Sequence, residues 1–434
     1  MRFTVSPGGT IGGQARVPGD KSISHRSIML GALAEGVTRV SGFLEGEDAL
    51  ATLNAFRAMG VEIERPEEGV VVVHGVGLHG LEAPPAALDL GNAGTGMRLL
   101  CGLMAGQAFD CELTGDASLC SRPMGRVIDP LMLMGAQIHA QEGGRPPLSV
   151  TGGRQLQGIH YDLPMASAQV KSCVLLAGLY ADGRTSVTEP APTRDHTERM
   201  LRGFGYPVTR ENGVISLQGG GRLKAADIDV PADISSAAFF LVAASITPGS
   251  DLLLTHVGIN PTRTGVINIL SLMGADISLT NEREVGGEPV ADIRVRYAPL
   301  RGIEIPQDQV PLAIDEFPAL FIAAACARGR TVLRGAEELR VKESDRIAAM
   351  AEGLTTLGIS NEVLEDGIVI EGGTMGGGEI RTHMDHRIAM SFAIAGLRAR
   401  ESIVVLDCDH VATSFPGFDS LAGQLGLRIS VHDD

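Results

Sequence analysis

The chain has 434 residues, 36 Lys and Arg against 52 Asp and Glu, and a formal net charge of −16. That balance excludes a general nucleic-acid or membrane-surface binder, which needs a basic face, but it leaves room for a local cationic pocket. With 44% hydrophobic residues, 4% aromatics and no Trp, the core must be aliphatic, and the 56 Gly signal many tight turns rather than disorder.

In chain order, MRFTVSPGGT holds no apolar stretch of signal-peptide length. The spacing then predicts a buried helix over 24–35, a strand over 37–43 and a second, polar-faced helix over 47–59. Gly60 falls where helices end in a left-handed turn, and strands 61–65 and 70–74 follow, joined by PEEG. This order recurs. Small-residue helices apolar almost all round read as SHRSIMLGALAEG (24–36), GTGMRLLCGLMAG (94–106), SAQVKSCVLLAGL (167–179), SSAAFFLVAASI (235–246), FPALFIAAACARG (317–329) and HRIAMSFAIAGLR (386–398). Each is answered later by a Gly turn and a strand: AMGVEI, LMGAQI, GFGYPV, LMGADI, TLGISN and QLGLRI. Helices apolar on all sides are buried, and each unit reads helix, strand, helix, Gly turn, strand, turn, strand, so six similar units divide into two domains of three. ARVPGDKSIS (15–24) and IDVPADISS (228–236) are alike and read as the crossings between them. The expected domains are 1–20 with 229–434, and 21–228, with the active site in the cleft between them. The paired strands exclude a nucleotide-binding doubly wound sheet. The densest apolar runs are about half a membrane span. Six Cys (101, 111, 120, 173, 326, 408) without C-x-x-C predict isolated, reduced thiols, hence a cytoplasmic protein.

Chemistry gathers at the starts of the buried helices: Lys21, Ser22, Ser24 and Arg26; Asn92, Gly94 and Thr95; Ser167 and Gln169; Asp233, Ser235 and Ser236; Asp315 and Glu316; Asp385, His386 and Arg387. Helix N-termini present unpaired N–H groups and a partial positive charge, so they favour anions. PGDKSISHRS (18–27) adds Lys21, Ser22 and Arg26 within one turn, a set able to grip a phosphate or carboxylate. GNAGTGMR (91–98) lets backbone approach a ligand closely at its glycines. RVKESDR (340–346) gathers Lys342, Glu343 and Arg346, and its carboxylate among cations suits proton transfer. MDHRIAM (384–390) sets Arg387 at another helix start. Each has a plainer reading: 91–96 as a turn, RVKESDR as a solvated helix face, Asp315 as a helix N-cap, and His25, His196 and His386 as structural. No metal-ligand spacing is present.

PGDKSISHRS, GNAGT, SRPMGR (121–126), MASAQVKS (165–172), TRDHTE (193–198), IDEFP (314–318), LRVKESDR (339–346), DHRIAMSF (385–392) and ATSFPGF (412–418) together resemble the 5-enolpyruvylshikimate-3-phosphate synthases of the enolpyruvyl transferase family. The resemblance spans essentially the whole chain, and MASAQVKS and TRDHTE are similar to the bacterial branch that includes glyphosate-insensitive members. It implies an α/β (α+β) fold of two domains, each of three βαβαββ units. The implied reaction moves the enolpyruvyl group of phosphoenolpyruvate to the 5-hydroxyl of shikimate 3-phosphate and releases phosphate, in the shikimate pathway to chorismate and the aromatic amino acids. It further implies no cofactor, no metal, no nucleic-acid or membrane partner, and a monomer. By motif position, Lys21, Ser22, Arg26, Ser167, Ala168, Gln169, Arg194, Asp315 and Lys342 would hold shikimate 3-phosphate. Lys21, Gly94, Arg122, Gln169, Arg346 and Arg387 would hold phosphoenolpyruvate. Asp315 would take the 5-hydroxyl proton, and Glu343 with Lys21 would handle the proton at the methylene carbon.

Two departures stand out. Ala168 replaces a second Ser, and Thr413 stands where many relatives carry Lys. Gly94 offers no steric block to an inhibitor longer than phosphoenolpyruvate. Seven cations (Lys21, Arg26, Arg122, Arg194, Lys342, Arg346, Arg387) would repel one another without substrate, which predicts an open empty state that closes on binding. Two alternatives are a UDP-N-acetylglucosamine enolpyruvyl transferase and a non-catalytic anion-binding clamp. The first is disfavoured by Lys21-Ser22 and by Ala117 at the expected Cys position, the second by the presence of both Asp315 and Glu343.

Overall fold

A computed structural model describes residues 1–433. The chain divides into two compact units: 1–18, 231–284 and the described residues from 288 onward in one, 19–230 and 285–287 in the other. Each unit has its own aliphatic core.

In the 19–230 unit the central helices are Lys21–Leu33, Gly94–Ala105 and Ala168–Gly178. The first starts three residues before the expected 24, because the Asp20 side chain accepts from the Ile23 N–H at 2.9 Å and caps the helix there. Its following strand is Ala34–Ser41, rather than 37–43. In the other unit the central helices are Ile234–Ile246, Phe317–Cys326 and His386–Ala395. All thirteen residues of Ile234–Ile246 are buried, as its lack of a polar face requires. Each central helix is followed by an outer one: Glu47–Ala58, Gly125–Leu133 and His196–Gly203, then Gly265–Leu272, Arg346–Thr356 and Phe418–Leu425. The glycine two or fewer residues beyond each outer helix (Gly60, Gly135, Gly205, Gly274, Gly358, Gly426) has a positive φ, from 76° to 116°. Side chains other than Gly seldom adopt that region, so this one residue type marks all six turns.

Four of the six sheets among the described residues share one plan: a short edge strand runs parallel to the strand that leaves the central helix, and a hairpin completes the sheet. Leu88–Asp89 pairs with Cys111–Thr114 in this way, as does His160–Asp162 with Arg184–Thr188. The first sheet takes its parallel edge from far along the chain: Leu223–Lys224 and Ile228–Asp229 lie beside Ala34–Ser41. The other unit uses the chain's first residues twice. Gly12–Ala15 is the parallel edge for Asp251–Gly258. Arg2–Val5 stands between Ile403–Leu406 and Ile429–His432, antiparallel to both. The sheet of Arg330–Leu333 has the hairpin without the parallel edge strand.

Packing between central helices is close. A Cβ at Gly102 would meet the Cys173 carbonyl oxygen at 2.3 Å, so Gly94–Ala105 and Ala168–Gly178 approach backbone to backbone. That closeness fixes where their N-termini lie, and those termini carry the polar residues of interest. All six cysteines are free. Burial pushes the thiols of Cys101, Cys111, Cys326 and Cys408 up to about 12, which leaves them protonated and unreactive. No helix among the described residues is long and apolar enough to cross a membrane.

Candidate active site

In the 19–230 unit, Lys21 and Ser22 open the first central helix and are half-buried. The Lys21 ammonium pairs with the buried Asp48 carboxylate of helix Glu47–Ala58. One turn on, Arg26 is buried and donates to Thr197 Oγ1 (2.7 Å), Ser172 Oγ (2.9 Å) and the Ser22 carbonyl (2.9 Å). His25 lies between these cations, with Nδ1 2.7 Å from Thr52 Oγ1. Burial, then repulsion from Lys21 and Arg26, holds its pKa well below the usual histidine value, so the ring is neutral and adds no further charge.

Helix Gly94–Ala105 begins beside two guanidinium groups. Arg122 donates to Asn92 Oδ1 (2.5 Å) and Ser118 Oγ (3.1 Å), and Asn92 donates in turn to Asp116 (2.8 Å). Arg98 donates to Gln169 Oε1 (2.8 Å), and Gln169 donates to Thr95 Oγ1 (3.0 Å). A Cβ on Gly94 would lie 3.0 Å from Arg122 Nη1 and 3.2 Å from Arg98 Nη1. Ser167 caps the third central helix by accepting from the Val170 N–H at 3.4 Å; Ala168 is its first residue. Arg194 is half-buried in the loop before His196–Gly203.

In the other unit, Arg346 is the hub. Its side chain is 1% exposed and donates to Asp385 Oδ2 from Nε (2.8 Å), to Glu343 Oε2 from Nη2 (2.6 Å) and to Asp315 Oδ1 from Nη1 (3.3 Å). Lys342 lies 3.3 Å from Asp315 Oδ1 and 2.6 Å from Glu338 Oε1. Burial alone would lower the Lys342 pKa, but Asp315 and then Glu338 outweigh it, and the net shift is upward. Asp385 caps helix His386–Ala395, accepting from the Arg387 N–H at 2.9 Å, and also takes the Ser344 hydroxyl at 3.0 Å. Burial would raise its pKa; the Arg346 guanidinium more than reverses this and holds the carboxyl below the usual range. Arg387 reaches the Asp315 carbonyl with Nη1 at 3.1 Å. One carboxylate, Asp315, is thus tied to two cations by its side chain and to a third by its backbone. Thr413 donates to the His410 carbonyl at 2.6 Å.

The family profile described as EPSP synthase (3-phosphoshikimate 1-carboxyvinyltransferase) matches residues 5–421. The chain belongs to the EPSP synthase family. Relatives named 3-phosphoshikimate 1-carboxyvinyltransferase include those of Alkalilimnicola ehrlichii and Methylococcus capsulatus. The first is 68% identical over 100% of this chain and 97% of its own length, the second 68% identical over 99% and 98%. The crystal structure of EPSP synthase from Acinetobacter baumannii matches with a TM-score of 0.90 at 62% identity, covering 100% of both chains. The enolpyruvyl transferase NikO from Streptomyces tendae shares the fold with a TM-score of 0.80 at 17% identity over 99% of this chain and 98% of its own.

For this member of the EPSP synthase family, the plainer readings of Asp315 and of RVKESDR do not hold. Asp315 does not cap helix Phe317–Cys326; Glu316 holds that position, and Asp315 turns to Lys342 and Arg346. RVKESDR is not a helix face. A 3-10 turn over Glu337–Val341 ends before Lys342, and the helix begins only at Arg346, capped by Asp345. Of the seven cations expected to repel one another, Lys21, Lys342 and Arg346 are each ion-paired with carboxylates of their own unit, which lessens the repulsion they contribute.

Of these carboxylates, sequence reasoning named Asp315 and Glu343 as catalytic but gave no role to Asp48 or Glu338, and it placed Asp385 only among the polar residues at helix starts. Asp385 caps its helix, and its second oxygen also serves Arg346. A faint signal was available: Asp precedes helix after helix, at 20, 116, 233, 345 and 385, and each accepts a backbone N–H. Among the described residues, the only grouping with three possible metal ligands is Glu62, Glu64 and His74. It lies on exposed hairpin strands away from these residues, and His74 Nε2 sits 2.7 Å from Glu64 there.

Proposed function

We propose that this chain transfers the enolpyruvyl group of phosphoenolpyruvate to the 5-hydroxyl of shikimate 3-phosphate, giving 5-enolpyruvylshikimate 3-phosphate and inorganic phosphate. The two units are the enzyme's two domains, and their clusters act on one pair of substrates. Family membership at 68% identity over the whole chain supports the reaction. The observation that carries the chemistry is the Asp315 carboxylate, 3.3 Å from both Lys342 Nζ and Arg346 Nη1. Cations this close can hold an anionic substrate beside a carboxylate able to accept a proton.

In this reading Lys21, Ser22, Arg26, Ser167, Ala168 (through its backbone), Gln169, Arg194 and Lys342 bind shikimate 3-phosphate. Lys21, Gly94, Arg122, Gln169, Arg346 and Arg387 bind phosphoenolpyruvate. The substrates together carry roughly five to six negative charges, for which these cations are the binding groups. Asp315 orients the 5-hydroxyl and takes its proton as the oxygen attacks C2 of phosphoenolpyruvate. Glu343, with Lys21, delivers a proton to the methylene carbon and takes one back when phosphate leaves from the tetrahedral intermediate. Paired donors already in place would meet the developing charge without reorganising. The protein acts as a monomer in this reading.

The test is phosphate release from phosphoenolpyruvate with shikimate 3-phosphate as acceptor, run in parallel with UDP-N-acetylglucosamine. Release with the shikimate ester alone is expected. Release with neither acceptor, or only with the UDP-sugar, overturns the reading.

A further inference from the structure

Two sequence motifs, MASAQVKS and TRDHTE, contribute Ser167, Ala168, Gln169 and Arg194 to the proposed shikimate 3-phosphate site, and Lys171 and Glu198 of the same motifs are given no contact with substrate there. The structure shows what those do. Lys171, one turn into helix Ala168–Gly178, is completely buried, and its ammonium lies 3.0 Å from Glu189 Oε1 and 2.8 Å from Glu198 Oε1. Both carboxylates are 3% exposed. Glu189 follows strand Arg184–Thr188, and Glu198 lies in the first turn of helix His196–Gly203. The Thr193 hydroxyl donates to Glu189, and the Thr193 carbonyl lies 3.5 Å from Lys171 Nζ. Arg210 approaches the outer oxygen of Glu189 at 3.7 Å.

Lys171 therefore holds the connection between that strand and that helix at both ends and at Thr193, the residue before Arg194. The connection has no regular secondary structure of its own between 189 and 195. Such a segment takes its shape from its anchors. Buried ion pairs act only at fixed geometry, because each partner left alone in an apolar core is costly. The neighbouring residues repeat the link. Ser172, next to Lys171, accepts from Thr197, next to Glu198, at 2.7 Å, and both also receive the Arg26 guanidinium. The ion cluster and the Arg26 contacts form two adjacent rungs between the same two elements.

We propose that Lys171, Glu189 and Glu198 are positioning residues for shikimate 3-phosphate. They set the place of Arg194 relative to Ser167 and Gln169, and so govern affinity for that substrate without touching it. This rests on the function proposed above.

The experiment is a double-variant cycle on the full chain. Glu198→Gln, Arg194→Ala and the pair are compared with wild type for KM of each substrate, kcat and melting temperature. Glu198→Gln keeps the shape and removes the charge that Lys171 holds. It should raise KM for shikimate 3-phosphate about tenfold and leave KM for phosphoenolpyruvate within about twofold. In the Arg194→Ala background the same change should have almost no effect, because the residue it positions is gone. Glu189→Gln, which relaxes the other anchor, should behave alike and serves if Glu198→Gln folds poorly. Equal effects in both backgrounds, parallel loss of affinity for both substrates, or a lowered melting temperature with unchanged KM overturns the proposal. So does failure of both variants to fold, which would make the cluster purely structural. Wild-type protein that releases no phosphate with shikimate 3-phosphate refutes the function itself, and that result is read separately on the unmodified chain.

Discussion

Replacing Asp385 tests whether its carboxylate holds the Arg346 hub. Both side chains are essentially inaccessible, at 0% and 1%. Asp385→Ala removes two acceptors from the guanidinium and one from Ser344, and it uncaps helix His386–Ala395. Breaking a buried pair from one side costs about 3–5 kcal/mol. Glu343 and Asp315 still bond the same guanidinium, so the lower end applies, about 3 kcal/mol, with about 1 kcal/mol more for the lost cap. Asp385→Asn keeps the cap and one acceptor but loses the charge, so about 2–3 kcal/mol is expected. The pH dependence has a defined sign. The folded pKa is depressed, so the stabilisation is complete above the unfolded value of about 3.9 and disappears as pH falls through the folded value. The gap between wild type and Asp385→Asn should therefore begin to narrow below about pH 4 and go on narrowing as the pH falls through the folded value. Urea denaturation at a series of pH values measures it. Hydrogen exchange should show loosening in 317–395, with 21–230 unchanged. An Asn variant within about 0.5 kcal/mol of wild type at pH 7, or a gap that does not narrow at all as pH falls below about 4, would refute the assignment of this carboxylate as the anchor.

Three further outcomes follow from the same geometry. Asp315→Asn should lower kcat by roughly 10²–10⁴ in the phosphate-release assay while calorimetry still shows shikimate 3-phosphate binding; kcat within about threefold of wild type would remove Asp315 as the base. Because His25 is buried and neutral, the unfolded chain gains a proton below about pH 6.5 that the native ring refuses. Native stability should therefore decline by about 1.4 kcal/mol per pH unit below 6.5 from this residue, and His25→Gln should remove that slope; equal slopes in the two proteins would mean that His25 titrates normally. Gly94→Ala places a methyl group 3.0 Å from Arg122 Nη1 and 3.2 Å from Arg98 Nη1. KM for phosphoenolpyruvate should rise about tenfold with KM for shikimate 3-phosphate unchanged, and equal increases in both would contradict the assignment of Gly94 to the phosphoenolpyruvate site.

The periodic features of the fold are legible because they are local. An all-apolar helix has to be buried, and a helix that stops at Gly60 or Gly274 needs the left-handed region that glycine supplies. The two-residue strand Leu88–Asp89 is not legible, because two residues carry no period and their pairing with Cys111–Thr114 is settled by packing at a distance. The same distinction separates the site residues. Lys342, Glu343 and Arg346 are close in sequence, and their proximity was expected; two of their contacts, Arg346 with Glu343 and Lys342 with Glu338, lie within one turn. The carboxylates that quench the cations come from elsewhere: Asp315 is 31 residues from Arg346 and Asp385 is 39. Counting cations by motif therefore overstated the positive charge. Only three-dimensional proximity shows that Arg346 is a junction of three acids rather than an unpaired charge.

The placement of the first eighteen residues has a bearing on how the chain is made. Residues 19–230 emerge from the ribosome with nearly all of their partners and can fold while synthesis continues. Strand Arg2–Val5 cannot, because its neighbours Ile403–Leu406 and Ile429–His432 follow it in the chain only after the whole of that unit has been made. At 5–20 residues per second that wait lasts roughly 20–85 s. Throughout it, Phe3 and Val5, which end fully covered by protein, stay exposed to water and to any chaperone within reach.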